Sequence, residues 1–382
     1  MDAKKWADRA LVSPMAIEYG VRTISHPEAV VKTTSGEVSI EYECDFPLSQ
    51  FVKVWQRETQ GTHTREHTSD PLANQVRLIE SGGRKNTIIT RFAQPGDYHI
   101  KVLGEIYHGH PALARNQCLL QYLIQNTGRS KPLPIGAKQS WGIDRNFTRA
   151  GFEVLEPKQP IIVTKYGTAR VRVQLPTAGV LPNMFDFFYM YNDGRGHNRS
   201  LHDCVIPVRT GNIVTYIAQC PFTGEYLLQL STKYDRPQQP NEGFTVGATF
   251  LIMCENPQPE KSTFHIDTQH SVMGPNEYFH SNGLVTSAES STLRPKDGVA
   301  RLHVKRTRAN TKVHADLYKI NHSKVKATKK VTTTVVGDVM TFEVGPVEAK
   351  AVYFLELFVA KQATDRYTFA GCFLVTERPE FS

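Results

Sequence analysis

A repeat constrains this chain more than any other feature. The stretch GEVSIEY at 36–42 returns as GTARVRV at 167–173 and as GVARLHV at 298–304, at a constant spacing of 131 residues. In each copy a glycine precedes alternating apolar and polar side chains. That period-2 pattern describes a β-strand with one face in a core and the other in water. A second mark repeats too: AQPGDYHIKV at 93–102, PFTGEYLLQL at 221–230 and EAKAVYFLEL at 348–357, with Tyr98, Tyr226 and Tyr353 in register. Internal repeats of this length describe tandem modules. The divisions expected are 1–127, 128–257 and 258–382, with the Pro-containing joints TGRSKPLPIGAKQS and NPQPEKS between them. Short joints of that composition hold neighbours at limited angles.

Further strand patterns recur in the same order. FVKVW (51–55), FDFFYMY (185–191) and VHADLYKI (313–320) come first. TIITRF (87–92), IVTYI (213–217) and MTFEV (340–344) follow. The closing runs are LLQYLI (119–124), ATFLIM (248–253) and CFLVT (372–376). Upstream, WGIDRNF at 141–147 aligns with MGPNEYF at 273–279, a lead-in segment in which a glycine turn precedes the first strand. Helical signals are nearly absent. The best helical candidate, 112–125, ends in a segment that maps onto a strand in the other copies. Many short strands with turn residues between them predict an all-β fold of three tandem immunoglobulin-like β-sandwich modules. The dipeptides Gly96-Asp97 and Gly224-Glu225 place the following tyrosine where such sandwiches carry a corner tyrosine. That position implies a packing role. Asn192-Asp193-Gly194 suits a tight hairpin.

The segments YGVRTISHPEAVVKTTSGEVSIEY with QPGDYHIKV, and PIGAKQSWG leading into AGFEVLEPKQPIIVTKYGTARVRV, carry a resemblance. They are similar to the immunoglobulin-like repeats of the kyphoscoliosis peptidase and hillarin family. The resemblance runs over essentially the whole chain. It implies association with the cytoskeleton and contacts with structural proteins there. In that family such repeats follow a transglutaminase-like domain, whose Cys nucleophile needs a His oriented by a carboxylate. No such core is read in these residues.

The 382 residues are 40% hydrophobic, ordinary for folded protein. MDAKKWADRALVSP lacks the apolar run of a secretory signal, and its early acids argue against a transit peptide. No stretch approaches the ~18 apolar residues of a membrane span. A cytoplasmic location is therefore expected, and the resemblance implies association with the cytoskeleton there. The six cysteines form no CxxC and no pair recurs with the modules, which favours reduced thiols over a disulfide framework.

Possible chemistry is thin. His63-Thr-Arg-Glu-His67 has a zinc-hydrolase spacing that works only on a helix, and it lies in a polar stretch between strands. His202-Asp203-Cys204, read on a strand, turns Asp203 away from its neighbours. His108-Gly-His110 reads as an exposed loop. No catalytic residue, cofactor or metal site is expected.

The chain carries a net charge of +8, unevenly spread: ten Lys/Arg and one acid, Asp316, lie between Arg301 and Lys330. Arg301, His303 and Lys305 share one strand face opposite Leu302 and Val304. Arg306 and Arg308 begin a turn, and a loop over 321–330 adds Lys324, Lys326, Lys329 and Lys330. This basic patch suits an acidic protein or an anionic surface. Nucleic acid is disfavoured because Tyr318 is its one interleaved aromatic. The functional expectation is a non-enzymatic scaffold that binds cytoskeletal or other structural proteins, in part through sheet edges. The alternative is the accessory C-terminal region of a transglutaminase-like enzyme.

Overall fold

The computed structural model describes residues 12–45, 49–56, 76–80, 84–106, 115–131, 133, 140–144, 147–148, 150–176, 184–190, 198–232, 245–257, 273–288, 290–308, 310–320, 324–360 and 366–378. His63–His67, His108–His110 and the Asn192–Gly194 hairpin lie outside the described residues.

Module 1 contains β1 (Arg22–Thr23), β2 (Val30–Thr33), β3 (Glu37–Glu43), β4 (Ser49–Gln56), β5 (Val76–Glu80), β6 (Lys85–Arg91), β7 (Gly96–Ile106) and β8 (Arg115–Asn126). They make two sheets, β2-β8-β7-β4 and β1-β3-β6-β5. Module 2 contains β9 (Ser140–Ile143), β10 (Glu153–Glu156), β11 (Ile161–Thr164), β12 (Thr168–Gln174), β13 (Met184–Met190), β14 (Asn198–Ser200), β15 (Val205–Thr210), β16 (Ile213–Gln219), β17 (Gly224–Thr232) and β18 (Thr245–Cys254). Its sheets are β9-β18-β17-β13-β14, with β11 also on β18, and β10-β12-β16-β15. Module 3 adds β19 (Gly274–Pro275), β20 (Leu284–Thr286), β21 (Thr292–Leu293), β22 (Ala300–Arg306), β23 (Lys312–Ile320), β24 (Lys324–Lys326), β25 (Val331–Val336), β26 (Val339–Val344), β27 (Val352–Ala360) and β28 (Thr368–Thr376). It repeats the plan with β19-β28-β27-β23-β24, with β21 on β28, and β20-β22-β26-β25.

Each module has a core between its two sheets, built from the inward half of the alternating strands. Ile40, Ile100 and Tyr122 lie in the first core, Val171, Tyr216 and Leu228 in the second, and Leu302, Phe342 and Leu355 in the third. The chain is thus a tandem of immunoglobulin-like β-sandwiches, as the repeats imply. The helical candidate at 112–125 resolves into the strand β8 over its described part.

Three readings need correction. The lead-in segments are themselves strands, β9 and β19, laid along the closing strand of their own module. In module 3 a short helix, α2 (Glu277–Ser281), follows, and its counterpart α1 (Pro14–Glu18) stands at the start of module 1. Ser13 caps α1 by accepting the Ala16 N–H at 3.1 Å, and Asn276 caps α2 by accepting the Phe279 N–H at 3.0 Å. Secondly, His202–Cys204 is one turn of 3-10 helix, because Cys204 N–H closes back on Leu201 O at 2.9 Å. Thirdly, part of the stretch read as a loop over 321–330 forms the edge strand β24 and a 3-10 turn, Thr328–Lys330.

Candidate interaction surface

Side chains on the outward faces of the sheets decide what surface the chain presents. In module 2 the strip Tyr226–Leu230 is buried on both faces, not on one. Tyr226, Leu228 and Leu230 point into the module core, whereas Leu227 and Leu251 point out and pack with Leu133, Trp141 and Ile89. Ile89 belongs to β6 of module 1, so this outer face is the junction between the first two modules. The edge is joined as well: β5 pairs in parallel with β9, with Leu78 opposite Ser140 and Ile79 opposite Trp141. One continuous sheet therefore runs from module 1 into module 2.

The same plan joins modules 2 and 3. Ile206, Val208 and Ile217 form an apolar patch on the outer face of β15 and β16. It packs on Met273, Ile320, Val352, Phe354 and Leu374 of module 3. The edge of β15 is filled by module 3 backbone. Met273 N–H donates to Pro207 O at 3.0 Å, and Ser291 N–H donates to Arg209 O at 2.7 Å. Arg209 N–H in turn donates to Ser291 Oγ at 2.8 Å. The three modules form one packed body, since burying even a few such side chains contributes several kcal/mol.

The repeated strip supplies the remaining parts of the joints. Glu225, the acid of the Gly-Glu-Tyr turn, accepts a hydrogen bond from Arg91 Nη1 of module 1 at 2.7 Å, and both side chains are largely buried. The tyrosine beside it is structural. Tyr226 OH donates to Phe222 O at 2.5 Å, and Tyr98 OH donates to Gln94 O at 2.7 Å, in each case four residues upstream. In module 3 Tyr353 OH reaches Glu348 Oε1 at 3.3 Å. All three rings are fully buried. Module 3 lacks the turn glycine at Ala351, and the left-handed residue is now Lys350, φ 64°.

The basic residues separate onto two sheets. Arg301, His303 and Lys305 share the outer face of β22, and all three are exposed. Each has a neighbour on β26 or its turn: Glu343 at 2.6 Å, Thr341 at 2.9 Å and Asp338 at 3.4 Å. Arg306 ends the strand and donates to Gly337 O at 3.2 Å, with the exposed Arg308 two residues on. Lys324 and Lys326 lie on β24, at the edge of the other sheet. Lys329 and Lys330 lie on the 3-10 turn that leads to β25.

Asp316, the one acid of this stretch, organises it. It accepts hydrogen bonds from Lys326 Nζ at 2.9 Å and Thr328 Oγ1 at 3.1 Å, and His314 Nε2 lies 3.3 Å away. Burial works to raise its carboxyl, but the bonds from Lys326 and Thr328 prevail and hold it below the usual range. Lys330 donates to Pro346 O at 3.0 Å and stands over the Tyr353 ring at 5.5 Å.

Reactive chemistry finds little support in the described residues. Burial pushes the Cys204 thiol up to about 12, away from the thiolate a nucleophile needs. Five cysteines are buried, Cys118 is half-buried, and all six are free. No group of three or more His, Cys, Asp or Glu that could hold a metal gathers among the described residues. No described helix is long and apolar enough to cross a membrane. The strands β5, β15 and β25, which make or offer the module edges, escaped the sequence reading. VRLIE, VIPVRT and VTTTVV carried the signal, as short runs rich in β-branched residues.

Comparison with solved structures gives multi-domain immunoglobulin tandems at low similarity. The I9-I11 tandem from titin is 9% identical, covers 93% of this chain and 98% of its own, and has a TM-score of 0.15. The titin I67-I69 fragment is 7% identical with the same coverage and a TM-score of 0.18. The titin domains z1z2 in complex with telethonin are 12% identical, cover 62% of this chain and 98% of their own, and have a TM-score of 0.17. No match was found among curated proteins. The family described as "KY-like, immunoglobulin-like domain" matches residues 3–135 and 138–265. With more than half of its length matched, and with the sandwich plan just described, the chain belongs to the KY-like immunoglobulin-like domain family.

Proposed function

We propose that this chain is a non-enzymatic scaffold that engages structural proteins, those of the cytoskeleton first, from the cytoplasm. One observation carries the reading: the repeated strips are used to weld modules into one body rather than to line a cleft. A welded array holds separate surfaces at fixed spacing, which raises avidity for a partner with matching sites. The surface assigned to an acidic partner is the basic patch of module 3, with Arg308 and Lys329 exposed and facing no internal acid. Arg301, Lys305, Lys326 and Lys330 already face internal acids and contribute less net field. Co-sedimentation with filaments and pull-down from a lysate test this. Enrichment of filament or crosslinker proteins is expected, weakening with salt and on joint reversal to Glu of Arg308 and Lys329. Equal recovery of the reversed variant contradicts the patch, and no enrichment contradicts the scaffold.

A second reading rests on the family match: these modules serve as the accessory region of a transglutaminase-like enzyme. It requires a Cys-His-Asp domain, encoded upstream in the same polypeptide or carried by another chain that binds this one. A native polypeptide of 43.0 kDa that co-purifies with no such protein contradicts it.

A further inference from the structure

A cavity of about 210 Å³ lies where module 3 packs on module 2. Arg209 lines it from near the end of β15, and His280 from the last turn of α2. Thr286, Ser290 and Ser291 complete its polar lining. None of the described lining residues is an acid. The bonding around the cavity leaves donors to spare. Arg209 gives its Nε–H to Gly211 O at 2.9 Å, and its two Nη groups find no partner among the described residues. Thr286 Oγ1 accepts the Ala288 N–H at 3.1 Å, Ser290 Oγ accepts the Thr292 N–H at 3.1 Å, and Ser291 Oγ accepts the Arg209 N–H at 2.8 Å. Each hydroxyl therefore keeps its own proton to give. The two basic groups also lack compensation. Burial works against the charge on Arg209. Burial first, and then the charge on Arg209, hold His280 below its ordinary value, against a hydrogen bond to the Leu284 backbone.

We propose that this cavity binds a phosphate monoester. A carboxylate accepts about four hydrogen bonds on its two oxygens. The Nη groups of Arg209, the His280 ring and the three hydroxyls offer more than that. A phosphoryl group presents three strong acceptor oxygens and nearly two negative charges at neutral pH. That charge matches Arg209 together with a His280 that takes up a proton on binding. Size narrows the ligand further. Pockets that enclose a whole drug-sized ligand run to about 300–1,000 Å³. This cavity is smaller, so it holds the head group and the first atoms of its ester, with Pro275, Ala288 and Phe373 as the apolar wall. A group bound here touches both modules and so stabilises their junction. The site shares no residue with the basic patch of module 3 and does not depend on the role given to that patch.

Isothermal titration calorimetry of the full chain tests this, with glycerol 3-phosphate, acetate, a phosphoserine peptide and its unphosphorylated form as probes. Both phosphorylated probes are expected to bind once per chain, and acetate at least about tenfold more weakly. Arg209→Gln and His280→Gln are each expected to weaken glycerol 3-phosphate by about tenfold, because each removes a charge-assisted hydrogen bond. His280 is exposed, so His280→Gln leaves the fold in place and keeps the test open where Arg209→Gln loosens the junction. A phosphopeptide held more tightly than glycerol 3-phosphate assigns the ester to a modified partner protein, and equal affinity assigns it to a free small ester. Binding of neither phosphorylated probe in the millimolar range overturns the proposal. So does acetate or the unphosphorylated peptide bound as tightly as its phosphorylated counterpart, or an affinity unchanged in both variants.

Discussion

The aligned glycines Gly36 and Gly298 separate two costs at the residue scale. Both lie in the left-handed region, φ 80° and 75°. A Cβ on Gly298 meets nothing within 4 Å, whereas one on Gly36 lies 2.7 Å from the backbone of Arg129 and Ser130. Gly298→Ala is therefore expected to cost about 1 kcal/mol from backbone conformation alone. Gly36→Ala is expected to cost clearly more, because the linker leaving module 1 must shift. Urea denaturation of the two variants measures the difference, and equal losses contradict the packed linker. Asp316 sets the response to acid. Its folded carboxyl is held below its unfolded value of about 3.9. Its contribution is thus fully present above that value and is lost as pH falls through the lower folded value. Relative to Asp316→Asn, the wild type is expected to lose stability as pH falls below about 4. Parallel curves for the two proteins contradict this role. The tyrosine corner was legible from the Gly-acid-Tyr triplet alone. Its acid was not, because Glu225 finds its partner Arg91 134 residues away on another module.

Strand period shows which faces were readable at the level of elements. In DYHIKV the outward positions are His99 and Lys101, and the alternation is plain. In EYLLQL and VYFLEL the outward positions Leu227 and Phe354 are apolar, so two faces are buried and the alternation weakens. That contrast was on the page as sequence, but alignment by tyrosine register treated the three strips as equivalent. The edges were harder. Six-residue runs such as VIPVRT and VTTTVV each follow a single 3-10 turn, and nothing local shows which strand will extend a sheet into the next module. The Arg91–Glu225 pair is the point at which to break the first junction. Removing one partner leaves the other charged and largely buried. Glu225→Gln is expected to cost about 2 kcal/mol and to raise hydrogen exchange along β9. Exchange unchanged at β9 means that the pair does not hold that edge.

For the whole molecule, modules expected as separate units on short joints are in fact continuous. The first pair shares a sheet, and the second pair shares an apolar core around Ile217. The repeat spacing, the strand order and the sandwich class were readable because each follows from a local pattern repeated three times. Continuity was not, because it depends on faces and edges meeting across module boundaries. The basic patch has the same limit. A run of ten cations in sequence divides between two sheets, and several meet acids from outside the run. If the modules are one body, they should unfold as one. Differential scanning calorimetry of the full chain is expected to show a single transition with equal calorimetric and van't Hoff enthalpies. Ile217→Lys, which buries a charge in the second junction, should split that transition in two. Three independent transitions in the wild type, left in place by Ile217→Lys, would contradict the account.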